Sequence, residues 1–369
     1  MNKARIIMFF CLIVLMPSLS YIIKTDVRFT NYEGRKMAEK PLLIEPDFCE
    51  KFDDYYADNS PWRNEMVTLN SCLSTFVFKD SSSKDSIKGK DGWYFYRPDE
   101  LDEYKRINLL SDDELDSKVN DISLLNSILD SDGVELFIFV APDKSEIYED
   151  MMPRCYKRYG DICRAEQVGI ELALTDVNYV FPVDELKKTA DELENSQLYY
   201  KLDTHWNYLG GYVGCKSLLK QMDIELPDVS ELTMKTTYNV GSSAYGKFDI
   251  SNGLGMAAVF DKDISYNIDG YNYSSSIEYC GDLWSSMEDF YGTVSSHNGD
   301  APIKKRLLFI RDSFGTAMYP VLGNIYEEVI SPHRNNIGSV ESMLEYEPDV
   351  IVWETVERSL SLPCFAINN

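Results

Sequence analysis

A short segment around one of the three histidines of this 369-residue chain has residue types suited to acid–base chemistry. His205 follows Asp203 by two positions, and Asn207 lies two positions further on. Residues two apart point to the same side of an extended segment, so the Asp203 carboxylate can contact the imidazole. Asn207 is placed to cap the helix that we expect after it. The segment therefore predicts a carboxylate–imidazole pair just before a helix.

A serine that follows an apolar run is the candidate nucleophile. Ser313 comes shortly after the run 307–310, and Gly315 precedes a stretch that is compatible with a helix. This order resembles the strand–turn–helix arrangement that presents a nucleophile in many hydrolases. The backbone N–H groups of Ser313 and Gly315 could stabilise an oxyanion at the start of such a helix. Each motif alone also fits a helix cap or a turn, whereas together they favour a triad of Ser313, His205 and Asp203.

Four other polar residues have weaker claims on the site. Lys144 lies at the expected carboxyl end of a strand, and we interpret it, together with Asn207, as a candidate wall residue of the cleft. Glu357 and Arg358 follow the last predicted strand, and ligands of open α/β sheets bind beyond the carboxyl ends of strands. An ion pair that pins the C-terminal tail explains these two residues more simply.

The remaining histidines and the cysteines do not indicate a metal centre. His297 lies in a polar loop and His333 begins a loop, so we expect both outside the site. The chain has no Cys-x-x-Cys pair and no His-rich cluster, which argues against structural zinc. Cys155 and Cys163 are near enough in sequence for a local disulfide in an oxidising compartment. The triad itself requires no metal and no organic cofactor.

Short apolar runs that alternate with helical patterns predict an α/β fold. The run 134–140 is apolar on both faces of a strand, which is typical of a central strand in a covered parallel sheet. Ser111 begins a capping box with Glu114, and apolar residues at helical spacing predict a helix from there to Asp132. The further predicted strands are 178–183, 306–310, 328–330 and 349–353.

Composition changes along the chain suggest its organisation. Residues 25–88 are polar with scattered aromatics, and we expect a leader that packs on a main domain over 89–369. Tyr, Ser, Gly and Asn dominate residues 232–300, which predicts an insertion of short strands and loops. This insertion either forms one wall of a cleft or decorates the surface.

The first 24 residues have the order of an export signal. Lys3 and Arg5 precede an apolar run, small residues follow, and apolar residues continue to Ile23. The stretch is about long enough to span a membrane, so we favour an uncleaved signal anchor over a cleaved signal peptide. The rest of the protein is then expected outside the cytoplasm, anchored to the cell membrane, or secreted if the signal is cleaved.

The charge balance restricts the partners. Asp and Glu total 61 against 36 Lys and Arg, which gives a formal net charge of -25. Such a field repels phosphate backbones, so nucleic-acid binding is not expected. The same charge favours a neutral or weakly charged substrate over a strongly anionic polymer.

Four motifs together resemble those of one enzyme family. They are Asp203-Thr204-His205-Trp206-Asn207, Asp312-Ser313-Phe314, Gly89-Lys90-Asp91-Gly92-Trp93 and Trp353-Glu354-Thr355-Val356-Glu357-Arg358. From about Phe48 onwards the chain resembles the AlgX/AlgJ family of SGNH-hydrolase-like polysaccharide O-acetyltransferases. In that family the Asp-x-His pair precedes the serine, the reverse of ordinary SGNH hydrolases, and this chain has the same order. No further segment follows that could form a carbohydrate-binding module, so the AlgJ type is expected.

The resemblance implies a fold, an activity and partners. It implies a three-layer α/β/α SGNH-hydrolase-like domain with a parallel central sheet, and it assigns Ser313 as nucleophile, His205 as general base and acid, and Asp203 as the residue that orients the imidazole. The implied activity is extracytoplasmic transfer of acetyl groups through an acetyl-serine onto hydroxyls of a polysaccharide. A membrane-bound O-acyltransferase is the implied partner on the donor side. A glycan acetyl esterase with the same triad and a non-catalytic glycan-binding surface protein remain as alternatives.

Overall fold

The computed structural model divides the chain into two compact units. The N-terminal unit comprises 1–84 and 251–260, and the main unit comprises 85–250 and 261–369. The residues described are 7, 10, 11, 37–59, 63–193, 196–240, 248–257, 259, 260, 262–281 and 292–365, with side chains omitted at 238–240. The predicted signal over 1–24 lies almost entirely outside these residues. Within them, no helix has both the length and the apolar character needed to cross a bilayer.

A seven-stranded sheet forms the centre of the main unit. Its strand order is β4–β3–β11–β9–β10–β8–β7, and the first five strands run parallel while β8 and β7 pair antiparallel at one edge. Two small antiparallel pairs, β1–β2 and β5–β6, accompany it. The strands are β1 (Ser86–Lys88), β2 (Tyr94–Tyr96), β3 (Glu135–Ala141), β4 (Asn178–Val180), β5 (Met234–Val240), β6 (Lys262–Ile268), β7 (Glu278–Cys280), β8 (Thr293–His297), β9 (Ile303–Ile310), β10 (Tyr326–Pro332) and β11 (Val350–Val356).

Helices cover both faces of this sheet. The helices of the described residues, of which α1 and α2 belong to the N-terminal unit, are α1 (Phe48–Asn59), α2 (Arg63–Cys72), α3 (Glu100–Lys105), α4 (Asp112–Ser131), α5 (Lys144–Ile147), α6 (Arg164–Leu172), α7 (Val183–Glu192), α8 (Tyr208–Gln221), α9 (Asp249–Gly253), α10 (Tyr319–Ile325) and α11 (Val340–Leu344). A π-helical stretch, Leu73–Phe78, continues α2, and short 3-10 turns lie at Glu149–Met151, Val229–Glu231, Phe314–Ala317 and Arg334–Asn336.

The central strands are apolar on both faces because each face packs against helices. Phe137 and Phe309 belong to one core with residues of α7, α8 and α10. Their neighbours Ile138 and Leu308 belong to a second core with residues of α4, α6 and α11. Alternate residues of one strand point to opposite faces, so one continuous apolar run supplies both cores. The predicted three-layer α/β/α architecture with a parallel central sheet is confirmed.

Local signals placed several elements correctly. The five predicted strands correspond to β3, β4, β9, β10 and β11, and α4 begins with the expected capping box between Ser111 and Glu114. The region 232–300 holds short strands as expected, but β7 and β8 extend the main sheet and are therefore part of its architecture.

The local disulfide that the spacing of Cys155 and Cys163 allows is not formed in this structure. Cys155 and Cys163 are both free thiols, and Cys163 is buried. The sulfur of Cys163 accepts the Glu166 N–H at 3.4 Å and caps α6. Cys163 therefore serves as a local helix cap and not as half of a cross-link.

The N-terminal unit has its own hydrogen bonds and ring contacts. Besides α1, α2 and the π-helical stretch, the described part of this unit contains residues 251–260. These residues contact α2 and the π-helical stretch. The Ser71 hydroxyl donates to the Leu254 carbonyl at 2.7 Å, and the Phe76 and Phe260 rings lie 5.9 Å apart.

Candidate active site

Ser313 lies directly beyond the carboxyl end of β9, a central parallel strand. It precedes the 3-10 turn Phe314–Ala317, and its side chain is only half-buried, whereas the residues after it are buried. The turn stays compact because Gly211 of α8 faces Ala317, where a β-carbon on Gly211 would approach to 2.7 Å. The strand–turn–helix placement predicted for Ser313 is therefore observed.

The segment with Asp203 and His205 reaches the same end of the sheet. The Trp206 indole donates to the Phe314 carbonyl at 2.8 Å and so ties this segment to the turn after Ser313. The His205 ring packs on the Phe314 ring with 4.9 Å between centroids. Trp206 and Phe314 are both completely buried and lie 108 positions apart in the chain. Their contact fixes the distance between the two segments.

The three side chains form one hydrogen-bonded chain. Oδ1 of Asp203 lies 2.6 Å from Nδ1 of His205, and Nε2 of His205 lies 2.8 Å from Oγ of Ser313. The backbone N–H of His205 also donates to Oδ1 at 3.0 Å. Asp203 is completely buried and His205 nearly so. This is the geometry in which an imidazole can take the serine proton while a carboxylate stabilises the cation that forms.

The Asp203 carboxyl is held in its ionised form. Burial alone would raise its pKa, but the neighbouring His205 and the hydrogen bonds from His205 and Asp249 lower the pKa below its ordinary value. An ionised Asp203 can accept from the imidazole Nδ1–H, which leaves Nε2 of His205 as the acceptor that faces the serine.

Three side chains fix the backbone of the turn at Ser313. Asp312 accepts the Phe314 N–H at 2.9 Å and the Val356 N–H at 2.8 Å. Arg334 lies 3.2 Å from Asp312 and donates to Thr355 at 2.6 Å. β11 and the loop after β10 thereby clamp the turn from two sides.

Glu354 of β11 also holds this turn, through hydrogen bonds to its backbone. Its Oε2 accepts the N–H groups of Asp312 at 2.9 Å and of Gly315 at 3.2 Å. Complete burial and the adjacent Asp312 charge raise the pKa of Glu354 well above its ordinary value, which favours the neutral acid. The Gly315 N–H, expected as an oxyanion donor, is therefore directed into the protein interior toward Glu354.

Two predicted wall residues are structural supports instead. Lys144 is completely buried, and its Nζ donates to the carbonyls of Tyr200 at 3.0 Å and Asp203 at 2.7 Å. Desolvation lowers the pKa of this amine. Asn207 is also completely buried and caps α8 by accepting the Leu209 and Gly210 N–H groups at 3.0 and 3.1 Å. Both residues hold the triad segment, so their assignment to the cleft wall is wrong, while the helix cap at Asn207 is confirmed.

Arg358 lies beside the turn but is already paired. Its guanidinium forms an ion pair with Asp143, and its central carbon lies 5.1 Å from the centre of the Phe314 ring. Glu357 is fully buried and accepts the Asp143 N–H at 2.9 Å. Both residues therefore join the C-terminal strand to the end of β3, which agrees with the ion-pair interpretation.

The other two histidines are not part of the triad. The side chain of His297 on β8 is 52% exposed. His333 is buried, and its Nδ1 accepts the Asn335 N–H at 3.2 Å. Burial and the nearby Arg311 lower the pKa of His333 to about 4, so this ring is neutral near pH 7. Neither side chain is placed to exchange a proton with Ser313.

A carboxylate that the sequence analysis missed lies against the triad. Oδ2 of Asp249 is 3.8 Å from Nδ1 of His205 and accepts the Thr204 hydroxyl at 2.6 Å. The sequence around Asp249 has neither a motif nor a regular spacing that relates it to His205. The contact depends on the tertiary fold, so no sequence signal pointed to it.

Asp203, His205 and Asp249 could together offer ligand atoms to a metal ion, since one such atom from each lies within 4.8 Å of the others. The same atoms, however, are engaged in hydrogen bonds within the triad and to Thr204. We therefore assign them to the triad.

Known proteins provide an independent comparison. The family model described as SGNH hydrolase-like domain, acetyltransferase AlgX, matches residues 87–254, a range that includes Asp203 and His205. Bacillus cereus PatB1, in a structure with a sulfonyl adduct, is 15% identical over 76% of this chain and 99% of its own, with a TM-score of 0.53. A DHHW family protein from Eubacterium siraeum is 14% identical over 76% and 93% of the two chains, also with a TM-score of 0.53.

The O-acetyltransferase domain of Pseudomonas putida AlgJ is 14% identical over 75% of this chain and 93% of its own, with a TM-score of 0.46. No curated protein sequence matches the chain significantly. At identities of 14–15%, the structures of PatB1 and of the DHHW family protein show a shared fold.

Proposed function

We infer that this protein transfers acetyl groups outside the cytoplasm. The inference rests on the resemblance to the AlgX/AlgJ family of SGNH-hydrolase-like O-acetyltransferases, which the family-model match over residues 87–254 supports. The acceptor is a hydroxyl of a cell-surface or secreted polysaccharide, and the intermediate is an acetyl-serine. The observation that supports this proposal most directly is the unbroken chain from Asp203 Oδ1 through His205 to Ser313 Oγ, with links of 2.6 and 2.8 Å.

The first step acetylates the enzyme. His205 Nε2 accepts the proton of Ser313 as Oγ attacks the carbonyl carbon of an acetyl donor. The tetrahedral intermediate collapses, the donor group leaves with the proton that His205 returns, and acetyl-Ser313 remains. The buried Asp203 stabilises the imidazolium during both proton transfers.

The second step transfers the acetyl group to the acceptor. A sugar hydroxyl loses its proton to His205 and attacks the acetyl-serine carbonyl. His205 then returns the proton to Ser313 Oγ, which completes the cycle. If water takes the place of the sugar hydroxyl, the same residues perform ester hydrolysis, so the partition of acetyl-Ser313 between these acceptors distinguishes a transferase from an esterase.

Ser313 itself is the candidate donor to the oxyanion. In the turn 313–315, the N–H groups of Phe314 and Gly315 donate to Asp312 and Glu354. Among the N–H groups of this turn, only that of Ser313 has no partner in the described structure. An oxyanion that forms on the serine-bound carbon would lie close to this group.

The proposed acceptor and partner are inferred from the net charge of the chain and from the family resemblance. A net charge of -25 suits a neutral or weakly charged polysaccharide. By the family resemblance, a membrane-bound O-acyltransferase supplies the acetyl group on the donor side. An N-terminal anchor would keep the two proteins at the same membrane.

The first prediction tests the nucleophile. Ser313→Ala should abolish acetyl transfer and covalent labelling by a sulfonyl fluoride, because it removes the attacking oxygen. Ser117→Ala, on the exposed side of α4, is the matched control and should retain both. The measurements are intact mass after labelling and product analysis with p-nitrophenyl acetate and neutral oligosaccharides.

Three results would change the assignment. Transfer by the Ser313→Ala variant would remove Ser313 from the mechanism. Release of acetate without acetylated oligosaccharide would indicate the esterase. An unlabelled wild-type Ser313 with no acetyl turnover would indicate a glycan-binding protein.

A further inference from the structure

We propose that Asp249 is a second carboxylate beside the triad of Ser313, His205 and Asp203. It is a positioning residue that holds Asp203 in place and puts negative charge on the Nδ1 side of His205. The catalytic part of this inference depends on the proposed function, while its structural part does not. The residue lies at the start of α9, and its contact with Asp203 joins positions 46 apart.

Asp249 first fixes the orientation of the Asp203 carboxylate. The backbone N–H of Asp249 donates to Oδ2 of Asp203 at 3.1 Å. Oδ1 of Asp203 meanwhile accepts from the ring and the backbone of His205. With both oxygens bound, the carboxylate of a completely buried side chain cannot rotate away from the imidazole.

The side chain of Asp249 is itself tied to the triad segment through Thr204. Its Oδ1 accepts the Thr204 N–H at 2.8 Å, and its Oδ2 accepts the Thr204 hydroxyl at 2.6 Å. The same hydroxyl lies 3.3 Å from Nδ1 of His205. Asp249 thus approaches the imidazole directly, at 3.8 Å, and through one hydroxyl group.

The charge of Asp249 changes near neutral pH. The titratable groups that interact with it are Asp203, His205, Lys144 and Tyr96. Desolvation and the negative charge of Asp203 raise the pKa of Asp249 to about 6, although 40% of its side chain remains exposed. Above that pH, two carboxylates face the imidazolium that forms when Ser313 gives up its proton, and their charge stabilises it.

Asp249→Asn tests the charge at nearly constant shape. We expect kcat for p-nitrophenyl acetate to fall about tenfold at pH 8 with KM changed less than about twofold, because a charge 3.8 Å from the imidazole is lost. The pH dependence of kcat around pH 6 should also change, because the asparagine side chain does not titrate. Asp300→Asn, at an exposed position away from the site, is the matched control and should keep the wild-type profile.

A second measurement does not depend on activity. Carboxyl ¹³C NMR of the wild-type protein should show one aspartate that titrates near pH 6 and is missing from Asp249→Asn. The imidazole signals of His205 should move in the variant, while those of His297 should not. An unchanged kcat and pH profile in the folded variant, or an aspartate signal with an ordinary midpoint, would overturn the inference.

The two proposals can fail separately. A wild-type protein that turns over no acetyl ester, but shows the aspartate signal near pH 6 and its coupling to His205, would refute the proposed function and leave Asp249 in its positioning role. If Asp249→Asn does not fold, Thr204→Val keeps the carboxylate and removes the intervening hydroxyl. A lower kcat with moved His205 signals then supports the inference, and no change in either overturns it.

Discussion

His205 is the residue on which both proton transfers of the proposed reaction depend. Its Nε2 is 2.8 Å from the serine oxygen, and its Nδ1 is 2.6 Å from a buried carboxylate. The chain has only two other histidines, and both lie elsewhere in the fold. The reaction therefore has one imidazole that can perform it.

The corresponding prediction compares His205 with the exposed His297. His205→Gln should lower kcat for p-nitrophenyl acetate by about 10²–10⁴-fold, because it removes the general base while it keeps the side chain polar. His297→Gln changes a side chain that is 52% exposed and should leave kcat within about twofold of wild type. Steady-state kinetics of the two purified variants would check this, and equal losses in both would contradict the assignment.

Sequence reasoning found the side chains that local spacing connects. Asp203 and His205 are two positions apart, so an extended segment already predicts their contact. The sequence does not indicate Asp249, because its hydrogen bond with Asp203 joins residues 46 positions apart and follows no periodic pattern. The assignment of Lys144 and Asn207 to the cleft wall failed because a polar residue near a site can equally well point inward and satisfy buried backbone groups, as both do here.

At the scale of elements, the site depends on how tightly the turn after β9 is packed. A β-carbon on Gly315 would lie 2.6 Å from Cβ of Arg311, and 2.9 Å from both the Glu354 carboxylate and the Phe309 ring. Cβ of Arg311 is fixed by its own backbone, and the Glu354 carboxylate and the Phe309 ring are completely buried, so these neighbours have little room to move aside.

Gly315→Ala should therefore destabilise the protein by about 1–3 kcal/mol and displace Ser313 from His205. Activity should fall by more than the loss of folded protein explains, since a misplacement of about 1 Å can cost about 10²-fold in rate. Thermal unfolding and kcat per folded molecule are the measurements. Gly338→Ala is the control, because a β-carbon there would meet nothing within 4 Å. If Gly315→Ala has the stability and activity of the wild type, the turn can accommodate a β-carbon at position 315, and the prediction is wrong.

The elements themselves were largely predictable because each carries its own signal. A capping box marks the start of α4, and apolar runs that are buried on both faces mark the central strands. The pairing of β7 and β8 with the main sheet was not predictable, since short polar strands such as 293–297 show no continuous apolar pattern. Whether Cys155 and Cys163 form a disulfide was not predictable either, because proximity in sequence does not decide whether a cysteine instead caps a helix.

At the scale of the whole molecule, buried acids couple stability to pH. The folded-state pKa of Glu354 is raised well above its ordinary value by burial and by the Asp312 charge. A carboxyl with a raised pKa in the folded state stabilises the protein fully below its unfolded-state pKa, near 4.3, and loses this contribution as pH rises through the folded-state pKa. Repulsion within a chain of net charge -25 acts in the same direction.

We therefore expect the melting temperature of the wild-type protein to be higher at pH 5 than at pH 8. Glu354→Gln imitates the neutral acid and should reduce this difference by about 3 °C or more, because its side chain cannot lose a proton. Glu345→Gln removes an exposed carboxyl instead and should leave the difference unchanged. Calorimetry at the two pH values would measure it, and an identical pH dependence in Glu354→Gln and the wild type would exclude Glu354 as its source.

The strand order has a consequence for when the site can exist. β11, the last strand of the chain, lies between β3 and β9 in the sheet. It also supplies Glu354 and the Val356 N–H, both of which hold the turn at Ser313. A polypeptide made from its N-terminus would contain every member of the triad some forty residues before this strand is complete, yet it would lack the partner that joins the two halves of the sheet. Reactivity toward esters should thus arise late in biogenesis, as a property of the finished chain.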